Sequence, residues 1–169
     1  MGSKGFDDRV KRNCNPSVSQ LFCVNNIGAV RFEGEEDELV LWQDLATLKL
    51  CGEDCSQVLH TVSGNIHAVF TGDNDVAAVA DFQFRILDSF GREVCTRRIR
   101  YAAELPDEEN TEIIFPFTFT CCDELRGCDS RQQFRLQADL LDERLALNND
   151  VWIQDLDWSA IVWEADRRF

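Results

Sequence analysis

Residues 113–130 read IIFPFTFTCCDELRGCDS. From Ile113 the apolar side chains recur at every second position, Phe115, Phe117 and Phe119, with Ile114, Pro116, Thr118 and Thr120 between them. That period marks a β-strand with one buried face. Pro116 lacks an N–H for a ladder bond, so this strand belongs at a sheet edge or carries a bulge. The run ends in adjacent cysteines, Cys121 and Cys122, with Cys128 following. A bond between neighbours in sequence is strained, so Cys121 and Cys122 are expected to take different partners. On a strand one of them points inward and the other outward.

The same period recurs along the chain. Ala80, Phe82, Phe84 and Ile86 alternate with polar residues, as do Phe134, Leu136, Ala138 and Leu140, and Leu156, Trp158, Ala160 and Val162. Shorter strand candidates lie at 20–24, 28–32, 38–42, 46–51, 57–62 and 65–71. Turn chemistry stands at Ser63-Gly64, at GDND (72–75) and at DSFG (88–91), and 105–110 reads as an acidic loop. Segments 79–87 and 93–102 flank the DSFG turn as a hairpin. Residues 136–147, LQADLLDERLAL, have helical propensity, but the alternation before them favours strand followed by loop. The pattern predicts an all-β, two-sheet sandwich over residues 20–169, with a jelly roll as the specific form. Residues 1–19 are polar and aperiodic and read as a flexible N-terminal arm carrying Cys14.

The last strand candidate places Ile153, Ile161 and Trp163 on the set opposite Trp158. Either a bulge or a covering loop accounts for them, or they form with Trp152 an outer apolar patch that another subunit covers.

At 169 residues the chain is long enough to bury a core without outside support. Its net charge is −14, from 31 acidic and 17 basic side chains, which argues against nucleic acid and anionic membrane surfaces as partners. The first residues have no apolar segment of the secretory kind, and no apolar run approaches a membrane span. The expectation is a protein made in the cytoplasm without a signal peptide.

The eight cysteines are Cys14, Cys23, Cys51, Cys55, Cys95, Cys121, Cys122 and Cys128. Three readings compete. Buried reduced thiols suit Cys95 and Cys23, which lie within strands. A metal site would need converging thiolates, but Cys51 and Cys55 form C-x3-C rather than paired CxxC, and His60 and His67 read as surface or interstrand residues. Disulfides suit the even count, with Cys51–Cys55 and Cys121 or Cys122 with Cys128 as local closures. On that reading outward thiols, and Cys14 on the arm, are free to bond a neighbouring molecule. Cys14, Cys23, Cys51, Cys55, Cys121, Cys122 and Cys128 are thus the candidate disulfide or intersubunit residues.

No GxSxG, P-loop, HExxH or dinucleotide glycine motif is present, and there are only two histidines. The reading is a non-enzyme with no cofactor. Asp73, Asn74 and Asp75, and Asn148, Asn149 and Asp150, are oxygen-rich loops that suit calcium or simple turns alike. A sandwich binding module for carbohydrate or a protein is the alternative function, with Trp42, Trp152 and Trp163 as contacts.

Three stretches carry a family resemblance: IHAVF (66–70), FQFRIL (82–87) before a cysteine-bearing strand, and FTFTCCDELRGC (117–128). In these the chain resembles cysteine-containing, all-β surface proteins of endospore-forming Firmicutes, and more narrowly a clostridial family, over roughly residues 60–165. It is also similar to subunits of spore appendage fibres. The resemblance implies a structural subunit that binds copies of itself and other spore-surface proteins and is cross-linked by disulfides. It also implies an arm cysteine, here Cys14, that bonds the next subunit. Disulfides do not persist in a reducing cytosol, and lysis of the mother cell would expose such a protein to oxidant on the spore surface.

Overall fold

The computed structural model describes residues 20–32, 42–51, 56–70, 78–103, 111–125, 131–141 and 149–163. Its strands are β1 (Gln20–Ile27), β2 (Val30–Phe32), β3 (Gln43–Cys51), β4 (Gln57–Phe70) and β5 (Ala78–Leu87). They continue with β6 (Glu93–Ala103), β7 (Thr111–Glu124), β8 (Arg131–Leu140) and β9 (Asn149–Trp163). All pairings are antiparallel. One sheet runs β1-β9-β4-β7, with β2 also on β9, and the other runs β3-β8-β5-β6. β1 and β2 follow one another along the same side of β9 and act as one interrupted strand. With them joined, two four-stranded sheets result, and the chain crosses between sheets at every step except the β5–β6 hairpin. That is the jelly-roll topology of an all-β sandwich.

The alternating residues fill the space between the sheets. Phe82, Phe84 and Ile86 of β5 and Phe134, Leu136 and Ala138 of β8 are fully buried from one side. Val58, Val62 and Ile66 of β4 and Trp158 and Ala160 of β9 are fully buried from the other. Phe84 meets Phe117 and Phe119 at ring-centroid distances of 4.7 and 5.6 Å, joining the sheets through aromatic contact. Each such ring contributes roughly 1.5–3 kcal/mol by leaving water. Among the described residues β7 pairs only with β4, so Pro116 stands on an edge strand, where its missing N–H leaves no gap in a ladder.

Ser63-Gly64 is not a turn, contrary to the local sequence signal. β4 runs unbroken from Gln57 to Phe70. Gly64 is small because a Cβ there would meet the Phe117 ring at 3.1 and 3.2 Å and the carbonyl oxygen of Gln154 at 3.3 Å. Opposite it, β9 carries an extra residue, since Ser63 faces Asp157 while Asn65 faces Gln154. Asp155 takes a φ of 52° at this bulge, and Asn65 Nδ2 donates to Asp155 Oδ2 at 3.1 Å. The bulge reverses which side of β9 faces inward. Val151 and Ile153 are buried before it, and Leu156, Trp158, Ala160 and Val162 after it.

The β5–β6 hairpin turns where DSFG predicts. Asp88 Oδ1 accepts from the backbone N–H of Phe90 and of Arg92, each at 2.9 Å, and Gly91 has a φ of 77°. β8 is strand to Leu140, so the helical propensity of LQADL yields to sheet pairing with β3 and β5. The expected arm at 1–19, most of the strand at 38–42 and the loops at 72–75 and 105–110 lie outside the described residues.

Candidate assembly face

The fold sorts the cysteines by the side of the sheet on which alternation places them. Cys121 points inward from β7, is 4 % exposed, and is bonded to Cys95 of β6 with a Cα–Cα separation of 6.1 Å. β6 and β7 are edge strands of different sheets, so this disulfide staples one side of the sandwich shut. Cys95 is therefore a bonded cysteine rather than a reduced core thiol. Cys51 is also disulfide-bonded, to a partner outside the described residues. Cys122 points the other way from Cys121 and is an exposed free thiol, as is Cys23 of β1. Cys14, Cys55 and Cys128 lie outside the described residues.

Arg92 buttresses the stapled side. Its Nε donates to Asp88 Oδ2 at 2.9 Å, and its terminal nitrogen donates to both Asp123 oxygens at 3.1 Å. Burial pushes the Asp88 carboxyl up, but the Arg92 side chain and the N–H groups of Arg92 and Phe90 outweigh it, so the group lies below the usual range. The hairpin turn is thereby tied to the end of β7, one residue from Cys122.

Register places the two free thiols on one surface. Leu21, Ile161, Leu59 and Cys122 form a row across β1, β9, β4 and β7, and Cys23, Ser159, Thr61 and Thr120 form another. Leu21 is 66 % exposed, Ile161 40 % and Trp163 36 %. From these rows to the bulge the outer face carries Thr, Ser, Asn, Gln, Leu, Ile and Trp163, with Asp155, Asp157 and Glu124 as its charged residues among those described and no basic one. The outer face of the other sheet differs. It presents Lys49, Arg85, Arg98, Arg100 and Arg135 against Asp44, Asp81 and Asp139. Arg98 hydrogen-bonds Asp81 and holds that carboxyl below its ordinary range, while Arg85 donates to Gln137 at 2.7 Å and lies 3.9 Å over the Trp42 ring. Trp42 is thus occupied by Arg85.

The sequence candidates on β9 separate at the bulge. Ile161 and Trp163 lie on the thiol-bearing face. Ile153 does not: it is 1 % exposed in the core, because the bulge returns its side of β9 to the interior. Trp152 is half-buried on the outer face beyond the bulge, its ring 4.0 Å from that of His67 and its indole N–H donated to Gln154 Oε1 at 3.0 Å. Nearby, Glu112 lies against His67 and Arg31 pairs with Asp150. His60, which reads from the sequence as a surface or interstrand residue, lies in the core. It is fully buried, 4.9 Å from Phe134 and 5.8 Å from Trp158, and neither ring nitrogen has a hydrogen-bond partner among the described residues. Its signal was its position between Val58 and Val62 on the inward set. No group of three or more His, Cys, Asp or Glu suited to a metal occurs among the described residues.

Fold and site together define a jelly-roll β-sandwich with an internal staple and one sheet face that bears two free thiols. No protein-family model matches the chain, and no curated protein matches it. Among solved structures it is similar to dimeric latent PorU from Porphyromonas gingivalis, with a TM-score of 0.43, 12 % identity, and coverage of 90 % of this chain and 13 % of that one. It is also similar to infectious bursal disease virus Gx strain, with a TM-score of 0.30, 9 % identity, and coverage of 96 % and 44 %. An arabinose-bound α-L-arabinofuranosidase gives 0.30, 8 %, and 80 % and 25 %. The chain spans less than half the length of each of these, and at such scores they carry no argument about function.

Proposed function

We propose that this chain is a non-catalytic structural subunit that assembles with copies of itself on a bacterial spore or cell surface and is cross-linked there by disulfides between chains. The observation that carries the reading is the occurrence of two exposed free thiols on a sparsely charged sheet face with an apolar row at its centre, on a chain whose net charge is −14. Like charge keeps copies apart elsewhere, so contact is least opposed at that face. Non-covalent contact sets the geometry, and oxidation then removes dissociation as a route out. The resemblance to spore-surface proteins supports the location and other spore-surface proteins as further partners. Cys14 supplies a further link in this scheme.

The test is a non-reducing gel of protein oxidised after purification. The expected result is a ladder of multiples of 19.4 kDa that collapses to one band with reductant. A single band under both conditions refutes assembly by disulfides. It would favour the alternative, a binding module for carbohydrate or a protein partner, to which the exposed Trp163 and the Trp152–His67 pair lend aromatic surface.

A further inference from the structure

Cys23 and Cys122 cannot bond each other within one chain. They stand on opposite edge strands of the sheet, three strand spacings apart, or about 14 Å across, and the rows they occupy are offset by two residues. A disulfide needs Cα atoms within about 7 Å. Any disulfide joining these two residue types in the folded protein is therefore made between molecules.

The face between them suits one kind of partner. It has no basic residue for an anionic partner, its three acids lie at the bulge and at the end of β7, and its centre is the Leu21–Ile161–Leu59 row. A second copy brings the same apolar row and the matching thiols. A two-fold axis lying in the contact plane, midway between Cys23 and Cys122 and tilted about 25° from the strands to absorb the two-residue offset, brings the β1 edge of one copy to the β7 edge of the other. It sets each Cys23 beside the second copy's Cys122, twice over, in the self-complementary pattern of an isologous contact. We propose that this outer face of β1-β9-β4-β7 is the contact between two copies of the chain, locked by a pair of reciprocal Cys23–Cys122 bonds. The inference rests on the self-assembly reading above and assigns its surface.

The size of the face explains why bonds are needed. Four strands by about seven residues give ~450 Å² per copy, or ~900 Å² in total, less than the roughly 1,200 Å² at which stable specific interfaces begin. The contact alone is weak and the covalent links hold it. Each link forms by exchange with a disulfide oxidant such as oxidised glutathione. The Cys23 thiolate displaces one glutathione thiolate, and the second copy's Cys122 thiolate then displaces the other. The cysteine pair loses two electrons, and two glutathione thiols carry away the two protons.

The experiment mixes Cys23→Ser and Cys122→Ser variants of the full chain, one of them labelled with ¹⁵N, under oxidised glutathione, followed by peptide mapping. Each variant alone should yield no Cys23–Cys122 link. The mixture should restore a covalent dimer through a single Cys23–Cys122 peptide pair, one peptide heavy and one light. Ile161→Glu, at an exposed position, should slow cross-linking of the otherwise native protein at least tenfold. Multimers that form in the wild type through other cysteines, with no such peptide pair, would overturn this surface while leaving self-assembly standing. A wild type that stays monomeric under the same oxidant would overturn both.

Discussion

Replacing Cys95 and Cys121 together by alanine is expected to destabilise the oxidised protein by about 3.5 kcal/mol, the chain-entropy value for closing a loop of this length. The bond spans 26 residues of sequence and joins edge strands of opposite sheets. Without it the unfolded chain regains the freedom of that loop, and that side of the sandwich is held by side-chain packing, the hydrogen bond from the Tyr101 hydroxyl to the Pro116 carbonyl and the Arg92–Asp123 pair. For a chain of this size the thermal midpoint should fall by about 10 °C. Circular dichroism melts of the double variant and the wild type, both oxidised, measure it. Alanine is the proper replacement for Cys121, because serine at so buried a position would add an unpaired hydroxyl. An unchanged midpoint would mean that the staple does not form in solution.

The second large effect is a loss of stability in mild acid that traces to His60. Burial, opposed in smaller part by the charge of Asp123, lowers its pKa from 6.5 to about 4. Above pH 7.5 the ring is neutral in both folded and unfolded chains, and it contributes no pH dependence. As pH falls through 6.5 the unfolded chain takes up a proton that the folded one refuses until about pH 4. Stability therefore drops across that window by up to 1.36 kcal/mol per pH unit and levels off below it. By pH 4.5 the loss is about 2.5 kcal/mol. Urea unfolding of wild type and His60→Leu at pH 7.5 and 4.5 isolates the effect, since shared carboxylates cancel between them. The variant should lose about 2.5 kcal/mol less on acidification. It should also hold its own at pH 7.5, because an apolar side chain replaces two unpaired ring nitrogens. Equal acid losses in the two proteins would show that His60 does not stay neutral in the core.

Much of the architecture could be read from one period. Alternation through Phe115, Phe117 and Phe119 identifies β7, and its continuation through Cys121 and Cys122 separates the bonded cysteine from the exposed one. The DSFG turn also follows from local chemistry, since Asp88 caps it and Gly91 takes the left-handed conformation. Where local signals misled, the cause was tertiary. Ser63-Gly64 reads as a turn, yet Gly64 is there to receive the Phe117 ring, and no neighbour in sequence announces that ring. Ile153 reads as outward because its parity opposes Trp158, and only the pairing with β4 produces the bulge that turns it inward. The partner of Cys121 was equally hidden, because Cys95 becomes its neighbour only when the edges of two sheets meet. His60 sat in the inward set but carried a polar name. The shared surface of Cys23 and Cys122 emerges from strand order, which periodicity does not contain.

The sheets divide the described cysteines of β1, β6 and β7 into an inner bonded pair and an outer reactive pair. Brief alkylation of the native monomer, isolated before any treatment with oxidised glutathione and mapped by mass spectrometry without reductant, tests this directly. Label should appear on Cys23 and Cys122 within minutes, while Cys95 and Cys121 react only after unfolding and reduction. Label on Cys95 or Cys121 in the native protein, or none on Cys122, would contradict it.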